Sequence, residues 1–245
     1  MTALPPVPAA GSLGEGMLAA LAGMPDPAGA SFADRFEQDL TERFTSRHAV
    51  AVSSGTTALH AALSAVGVGP GDEVLVPALT VVMTAAPLAQ LGATAVFVDS
   101  EPDTLDLDYD DAVAKVTART KAIVPVHLWG RMGDPASLRS FAAEHGLAVV
   151  EDAAQAAGSS RGGVPAGAVG DAGCFSMKDG KILWREGGYV LTDGSALAAH
   201  VRAFRSHWLT PLPVAALKNG SRSTGAWPNR SRRSPRPTCA GSRTC

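Results

Sequence analysis

The chain has 245 residues, 46% hydrophobic and 5% aromatic, with a formal net charge of −2. That size fits one large α/β domain, and apolar content drawn mostly from Ala, Gly and Val suits a helix-covered parallel sheet better than an all-β sandwich. No apolar run reaches the ~18 residues of a membrane span, no basic segment followed by an apolar core marks a secretory signal, and Cys174, Cys239 and Cys245 are an odd set without framework spacing, so a reduced, cytoplasmic protein is expected.

The near-neutral balance conceals an asymmetry. All 23 acidic residues lie at or before Asp193, together with 12 of the 21 Lys and Arg. The nine remaining Lys and Arg lie beyond Asp193 with no acid to offset them.

Residues 1–30 are rich in Ala, Pro and Gly and read as a flexible arm. A helix is expected from Ser31, a good N-cap, with Phe32, Phe36, Leu40 and Phe44 on one face. His48–Val52 reads as a strand, and Ser53-Ser54-Gly55-Thr56-Thr57 leads into an apolar helix, Ala58–Val66. Gly67–Asp72 follows a helix rather than a strand and reads as a plain turn. Strands follow at Glu73–Pro77 and Ala95–Asp99, with a helix between them ending at Leu91. Asp103–Asp111 lacks metal-ligand spacing and reads as a solvated loop running into a helix, Asp110–Val116. Lys121–Val126 and Leu147–Glu151 are strands flanking a helix, Pro135–His145. Gly173–Met177 and Gly188–Thr192 are further strands, and Ala196–His207 is the last helix. Apolar strands alternating with amphipathic helices predict a doubly wound, mainly parallel sheet, with ligands at the carboxyl ends of its strands.

From Pro213 the texture changes. Lys218–Cys245 holds six Arg, five Ser and three Pro in 28 residues and no acid, so residues 213–245 are expected to be a disordered tail. Two readings stand: a functional basic tail able to meet nucleic acid or an anionic membrane, or translation out of frame in a GC-rich gene, the composition favouring the second.

Three stretches carry chemistry. Ser54-Gly55-Thr56-Thr57, between strand and helix, can hold an anion on N–H groups and hydroxyls, or can be an ordinary N-cap. Val149–Gly158 delivers Glu151, Asp152 and Gln155 to a strand end; an aspartate there can pair with a protonated ring nitrogen, or can be an acid at a helix N-terminus. Ser176 and Lys181 offer a hydroxyl and an amine, and a partly desolvated lysine can attack an aldehyde. Together they supply a phosphate cradle, a ring-nitrogen acid and an imine lysine, the parts a pyridoxal phosphate (PLP) site needs. His127, after a buried strand, fits either a substrate pocket or a structural role. Cys174 reads as a small buried hydrophobe.

These stretches resemble the DegT/DnrJ/EryC1/StrS family of sugar aminotransferases, of the aspartate-aminotransferase fold. The matching residues are Phe36-Glu37, Ala51–Leu59, Pro77–Thr80, Gly92-Ala93, Val98-Asp99, Pro125–Gly130, Glu151–Ala156, Phe175-Ser176, Gly180-Lys181 and Glu186–Gly188, in order over about residues 32–210. The form Phe-Ser-Met-x-x-Gly-Lys resembles the branch acting on cyclitols and aminohydroxybenzoate precursors.

The resemblance implies a PLP-binding large domain over residues 31–212, with a mainly parallel seven-stranded sheet between helices. It implies that Lys181, rather than Lys178, is the Schiff-base lysine and the base for the 1,3-proton shift. Asp152 would pair with the pyridine nitrogen, Gln155 would lie near the ring and its 3-oxygen, and Gly55, Thr56, Thr57 and Ser176 would hold the phosphate. Val81 stands where the family usually stacks an aromatic residue on the ring, and Trp184 and Arg185 stand where smaller residues are common. The implied reaction moves an amino group from glutamate or glutamine to a keto-sugar or keto-cyclitol, in antibiotic or polysaccharide biosynthesis. A homodimer is implied, with no metal, nucleic acid or membrane partner. The family continues into a small C-terminal domain that has no counterpart here, so a catalytically inactive large-domain fragment is the alternative expectation. A nucleic-acid-binding protein using the basic tail is a third.

Overall fold

The structure is a computed structural model and describes residues 32–44, 46–178, 181 and 186–206. The expected arm (1–30), the tail (213–245), Gly180, Trp184, Arg185 and His207 lie outside the described residues.

The strands are β1 (His48–Val52), β2 (Glu73–Pro77), β3 (Thr94–Val98), β4 (Thr120–Ile123), β5 (Ala148–Asp152), β6 (Ser160–Arg161), β7 (Val164–Pro165), β8 (Ala172–Ser176) and β9 (Gly188–Thr192). The helices are α1 (Phe32–Phe44), α2 (Gly55–Ala65), α3 (Val82–Leu91), α4 (Tyr109–Lys115), α5 (Pro135–His145) and α6 (Ser195–Arg205). Seven strands form one sheet in the order β1-β9-β8-β5-β4-β2-β3. Every pairing is parallel except those of β9, which runs against both β1 and β8.

Side-chain alternation splits the core into two layers. Val50, Val74, Val76, Val150, Cys174 and Val190 face one way and pack with Leu59, Leu63, Leu88 and Val201 of α2, α3 and α6. Ala49, Leu75, Ile123, Val149, Phe175 and Leu191 face the other way and pack with Leu40, Ala112, Leu138 and Phe141 of α1, α4 and α5. Helices on both faces make the strands apolar throughout, as a parallel sheet requires.

β1 is an edge strand, and its outer edge is occupied. Glu37 accepts from Ala51 N at 2.9 Å, and Arg202 donates to Glu37 at 3.1 Å and to Ala49 O at 3.0 Å. Arg205 bonds both Glu37 and Ala51 O. A carboxylate from α1 and two guanidiniums from α6 thus take the backbone positions another strand would use.

Several boundaries differ from expectation for identifiable reasons. The strand expected to reach Val126 ends at Ile123, because Pro125 has no N–H for the ladder. Beyond it, Val124 N still donates to Leu75 O and Val126 bridges Asp152. The second helix starts at Gly55 rather than Ala58, which puts Gly55-Thr56-Thr57 in its first turn. The acid-rich stretch is only partly loop: Asp108 caps α4, accepting from the N–H groups of Asp110 and Asp111. The β6–β7 hairpin was not anticipated; its loop, Gly162-Gly163, has φ of 59° and 80°, the backbone a two-residue hairpin turn demands. Gly67–Asp72 is the plain turn expected, closed by Asp72 on Gly69 N. Cys174 is 1% exposed, and burial pushes its thiol well above the usual range.

Candidate active site

The candidate residues converge on the edge of the sheet where the parallel strands end. β1 leads through Ser53 and Ser54 into α2, β5 ends on Asp152 and β8 ends on Ser176. β9 runs the opposite way, so its first residue, Gly188, pairs with both Val52 and Ser176 at the same edge.

Ser54 is the N-cap of α2, its Oγ accepting from Thr57 N at 3.1 Å. The Thr57 hydroxyl turns to Ser54 Oγ at 2.9 Å and Ser53 Oγ at 3.0 Å. The ordinary N-cap expected as one reading is therefore present. Capping uses the N–H of Thr57; those of Gly55 and Thr56, in the turn that carries the positive end of the helix dipole, are not needed for it. No acidic residue occupies that turn. The turn packs closely on the end of β8: a Cβ at Gly55 would stand 2.6 Å from Ser176 Cβ. A Cβ at Gly188 would stand 2.5 Å from the Ser54 carbonyl carbon. Both glycines permit an approach that any side chain would prevent.

Asp152 is 3% exposed and lies on the α2–α3 face of the sheet. No helix follows it, which removes the helix-acid alternative. Its Oδ2 accepts from Thr84 Oγ1 at 2.8 Å and its Oδ1 from Ala154 N at 3.2 Å. Burial pushes its pKa up, against those hydrogen bonds and the charges of Lys181 and His127. Lys181 is half-buried, and burial lowers its pKa while Asp152 opposes the shift and Lys178 adds to it. Asp152 and Lys181 thus sense each other across the site.

Gln155 follows β5, and its Oε1 accepts from Trp129 N at 2.9 Å. Trp129 has a φ of 54°, in the left-handed region uncommon for a side chain of that bulk. Val81 sits at the N-cap position of α3, 44% exposed, with no side-chain capping bond.

Glu151 does not join this group. It points to the other face, fully buried, and accepts from His127 Nε2 at 2.9 Å, Gly167 N at 2.9 Å, Val169 N at 2.7 Å and Gly170 N at 3.0 Å. His127, open between two readings in the sequence, is held in that structural network. Among the described residues no cluster of His, Cys, Asp and Glu could hold a metal ion, and no helix is long and apolar enough to cross a membrane. Thr84 was not singled out from the sequence; its only signal is its place four residues after Thr80 in the Pro-x-x-Thr stretch.

The pattern of the DegT/DnrJ/EryC1/StrS aminotransferase family matches residues 28–214. The chain belongs to this family. GDP-perosamine synthase of Caulobacter vibrioides is 43% identical over 181 residues, covering 74% of this chain and 49% of that protein. The chain spans about half the length of the curated relatives it matches, at 49%, 49% and 46% for three of them. Among solved structures, DesI in the presence of its TDP-sugar product superposes with a TM-score of 0.71 at 39% identity, covering 81% of this chain and 50% of that one. Spr1654 from Streptococcus pneumoniae in its PLP form superposes with a TM-score of 0.67 at 28% identity, covering 81% of this chain and 56% of that one. The seven-stranded, mainly parallel α/β sheet is thus the fold of this family of PLP-dependent aminotransferases.

Proposed function

We propose that the chain binds PLP and serves an aminotransferase reaction from an amino acid, glutamate or glutamine, to a keto-sugar or keto-cyclitol. The observation that carries this reading is the convergence of the α2 N-terminus, Ser176, Asp152 and Lys181 on one sheet edge. The residues fit the group. Gly55 lets the first turn of α2 seat directly against Ser176, where a Cβ would clash, so its N–H groups and the Ser176 hydroxyl lie side by side, and the acid-free turn suits a phosphate dianion.

When bound, PLP supplies an aldehyde for amine exchange and an electron-withdrawing ring. Lys181 is the amine that engages it, and partial burial raises the share of its neutral, nucleophilic form. The same amine can take a proton from one carbon and return it to another, as a 1,3-shift requires. Asp152 would accept from the ring N–H and so favour its protonated form. Gly55, Thr56, Thr57 and Ser176 would hold the phosphate, the hydroxyl of Thr57 fixing the turn through Ser53 and Ser54. Gln155, its Oε1 taken by Trp129, has its amide NH2 as donor for the 3-oxygen. Val81, 44% exposed, would offer the ring aliphatic carbon in place of an aromatic face.

Sugar-nucleotide relatives support a sugar acceptor, and we extend the proposal to a cytoplasmic homodimer acting in polysaccharide or antibiotic biosynthesis. The test is chemical. The full chain is incubated with PLP, reduced with borohydride and digested. The cofactor is expected on the peptide containing Lys181, and Lys181→Ala is expected to carry none and to lose about 10²–10⁴-fold in turnover. A mark on another lysine, or no mark, overturns the reading.

A further inference from the structure

We propose that Thr84 is a positioning residue for Asp152, and that Thr80, Thr84 and Asp152 form a one-way chain of hydroxyl donors ending on the carboxylate. The proposal rests on the reading that Asp152 meets the cofactor's ring nitrogen. Thr84 is wholly buried in the first turn of α3. A helical threonine commonly turns its hydroxyl to a carbonyl three or four residues back. Thr84 instead reaches β5, 68 residues away, and donates to Asp152 Oδ2 at 2.8 Å. Its backbone N–H bonds Val81 O at 3.0 Å, which fixes the turn.

A hydroxyl has one proton. Once Thr84 gives its proton to Asp152, its 2.7 Å contact with Thr80 Oγ1 can be made only with Thr80 as donor. The chain therefore runs Thr80 to Thr84 to Asp152 and holds that sense while the carboxylate is ionised. Ala154 N fixes the other carboxylate oxygen. The carboxylate plane is thus set from α3 on one side and from the β5 loop on the other. The charged and titratable groups around Asp152 are Lys181 and His127, which favour its ionised form, and Cys174, its ladder partner on β8. Burial acts against all of these, and the Thr84 hydroxyl is the strongest single opposing influence. Thr84 would thereby keep Asp152 an acceptor, the form a protonated ring nitrogen needs.

The test compares the full chain with Thr84→Val, which keeps the shape and removes the donor, and Thr84→Ser, which keeps the donor. Two readouts are taken: the pH midpoint of the Asp152 carboxyl carbon by NMR in the cofactor-free protein, and PLP affinity by visible absorbance. Thr84→Val is expected to raise the midpoint and weaken PLP binding about tenfold, with Thr84→Ser within about threefold of the parent. An unmoved midpoint in Thr84→Val, or equal losses in the two variants, overturns the proposal. If Thr84→Val does not fold, Thr80→Val removes the outer hydroxyl alone, and its midpoint must rise by a smaller amount; an unmoved one overturns it. A parent chain that binds no PLP sinks the functional reading instead, and the cofactor-free titration still decides the role of Thr84.

Discussion

Glu151 and Asp152 are consecutive carboxylates at the end of β5, yet they belong to different regions of the molecule. Glu151 is anchored among Gly167, Val169, Gly170 and His127 and is used up by structure. Asp152 has two donors, a raised pKa and a half-buried lysine within electrostatic reach. One carboxylate is saturated by backbone N–H groups and ties a loop to the sheet. The other is left short of partners at the edge where parallel strands open. Saturation marks a structural acid and incomplete satisfaction marks a working one, since a fully hydrogen-bonded carboxylate has nothing left to offer a ligand.

Substitutions should separate the two regions. Glu151→Gln places an amide NH2 against backbone donors and breaks a buried pair, and is expected to cost about 3–5 kcal/mol in urea unfolding. A loss below 1 kcal/mol would show that the loop is held by something else. Asp152→Asn is expected to lower turnover by about 10²–10³-fold while leaving stability unchanged or higher. The sign follows from its raised pKa. A carboxyl whose pKa is higher in the fold contributes stability below its ordinary value of 3.8 and loses it as pH rises through the folded value. The amide should abolish that loss, so melting temperature against pH should flatten for this variant alone. Gly55→Ala, the smallest change, drives a methyl into Ser176 and is expected to cost about 1–3 kcal/mol. It should also weaken PLP binding, which absorbance titration reads directly. Normal affinity in Gly55→Ala would place the phosphate elsewhere.

Much of the frame was legible because local pattern and local structure coincide. His48–Val52, Glu73–Pro77 and Pro135–His145 fall where the sequence puts them; an apolar run short enough for a strand, or a proline after an Asp cap, leaves little alternative. Less legible was the end of β4, where an apolar pattern continues through Pro125 but the ladder cannot. The β6–β7 hairpin was not anticipated, although two adjacent glycines, Gly162 and Gly163, favour such a turn. His127 could not be assigned from sequence, because its partner Glu151 lies 24 residues away and points out of the site by the alternation of a single strand. Thr84 was invisible for the same reason at longer range.

The sequence by itself determined which residues are available: a Ser-Gly-Thr-Thr turn after β1, an acid at the end of β5, a serine at the end of β8 and a lysine beyond it, in an order that assigns the family. Their approach to one another was decided only by the tertiary structure. β9 enters between β1 and β8 in the reverse direction, and that one antiparallel strand brings Gly188, Ser54 and Ser176 to the same edge. The pairing of β1 with β9 joins residues more than a hundred positions apart. Local propensity therefore carries no record of it, whereas the packing of two apolar faces under two layers of helices fixes it.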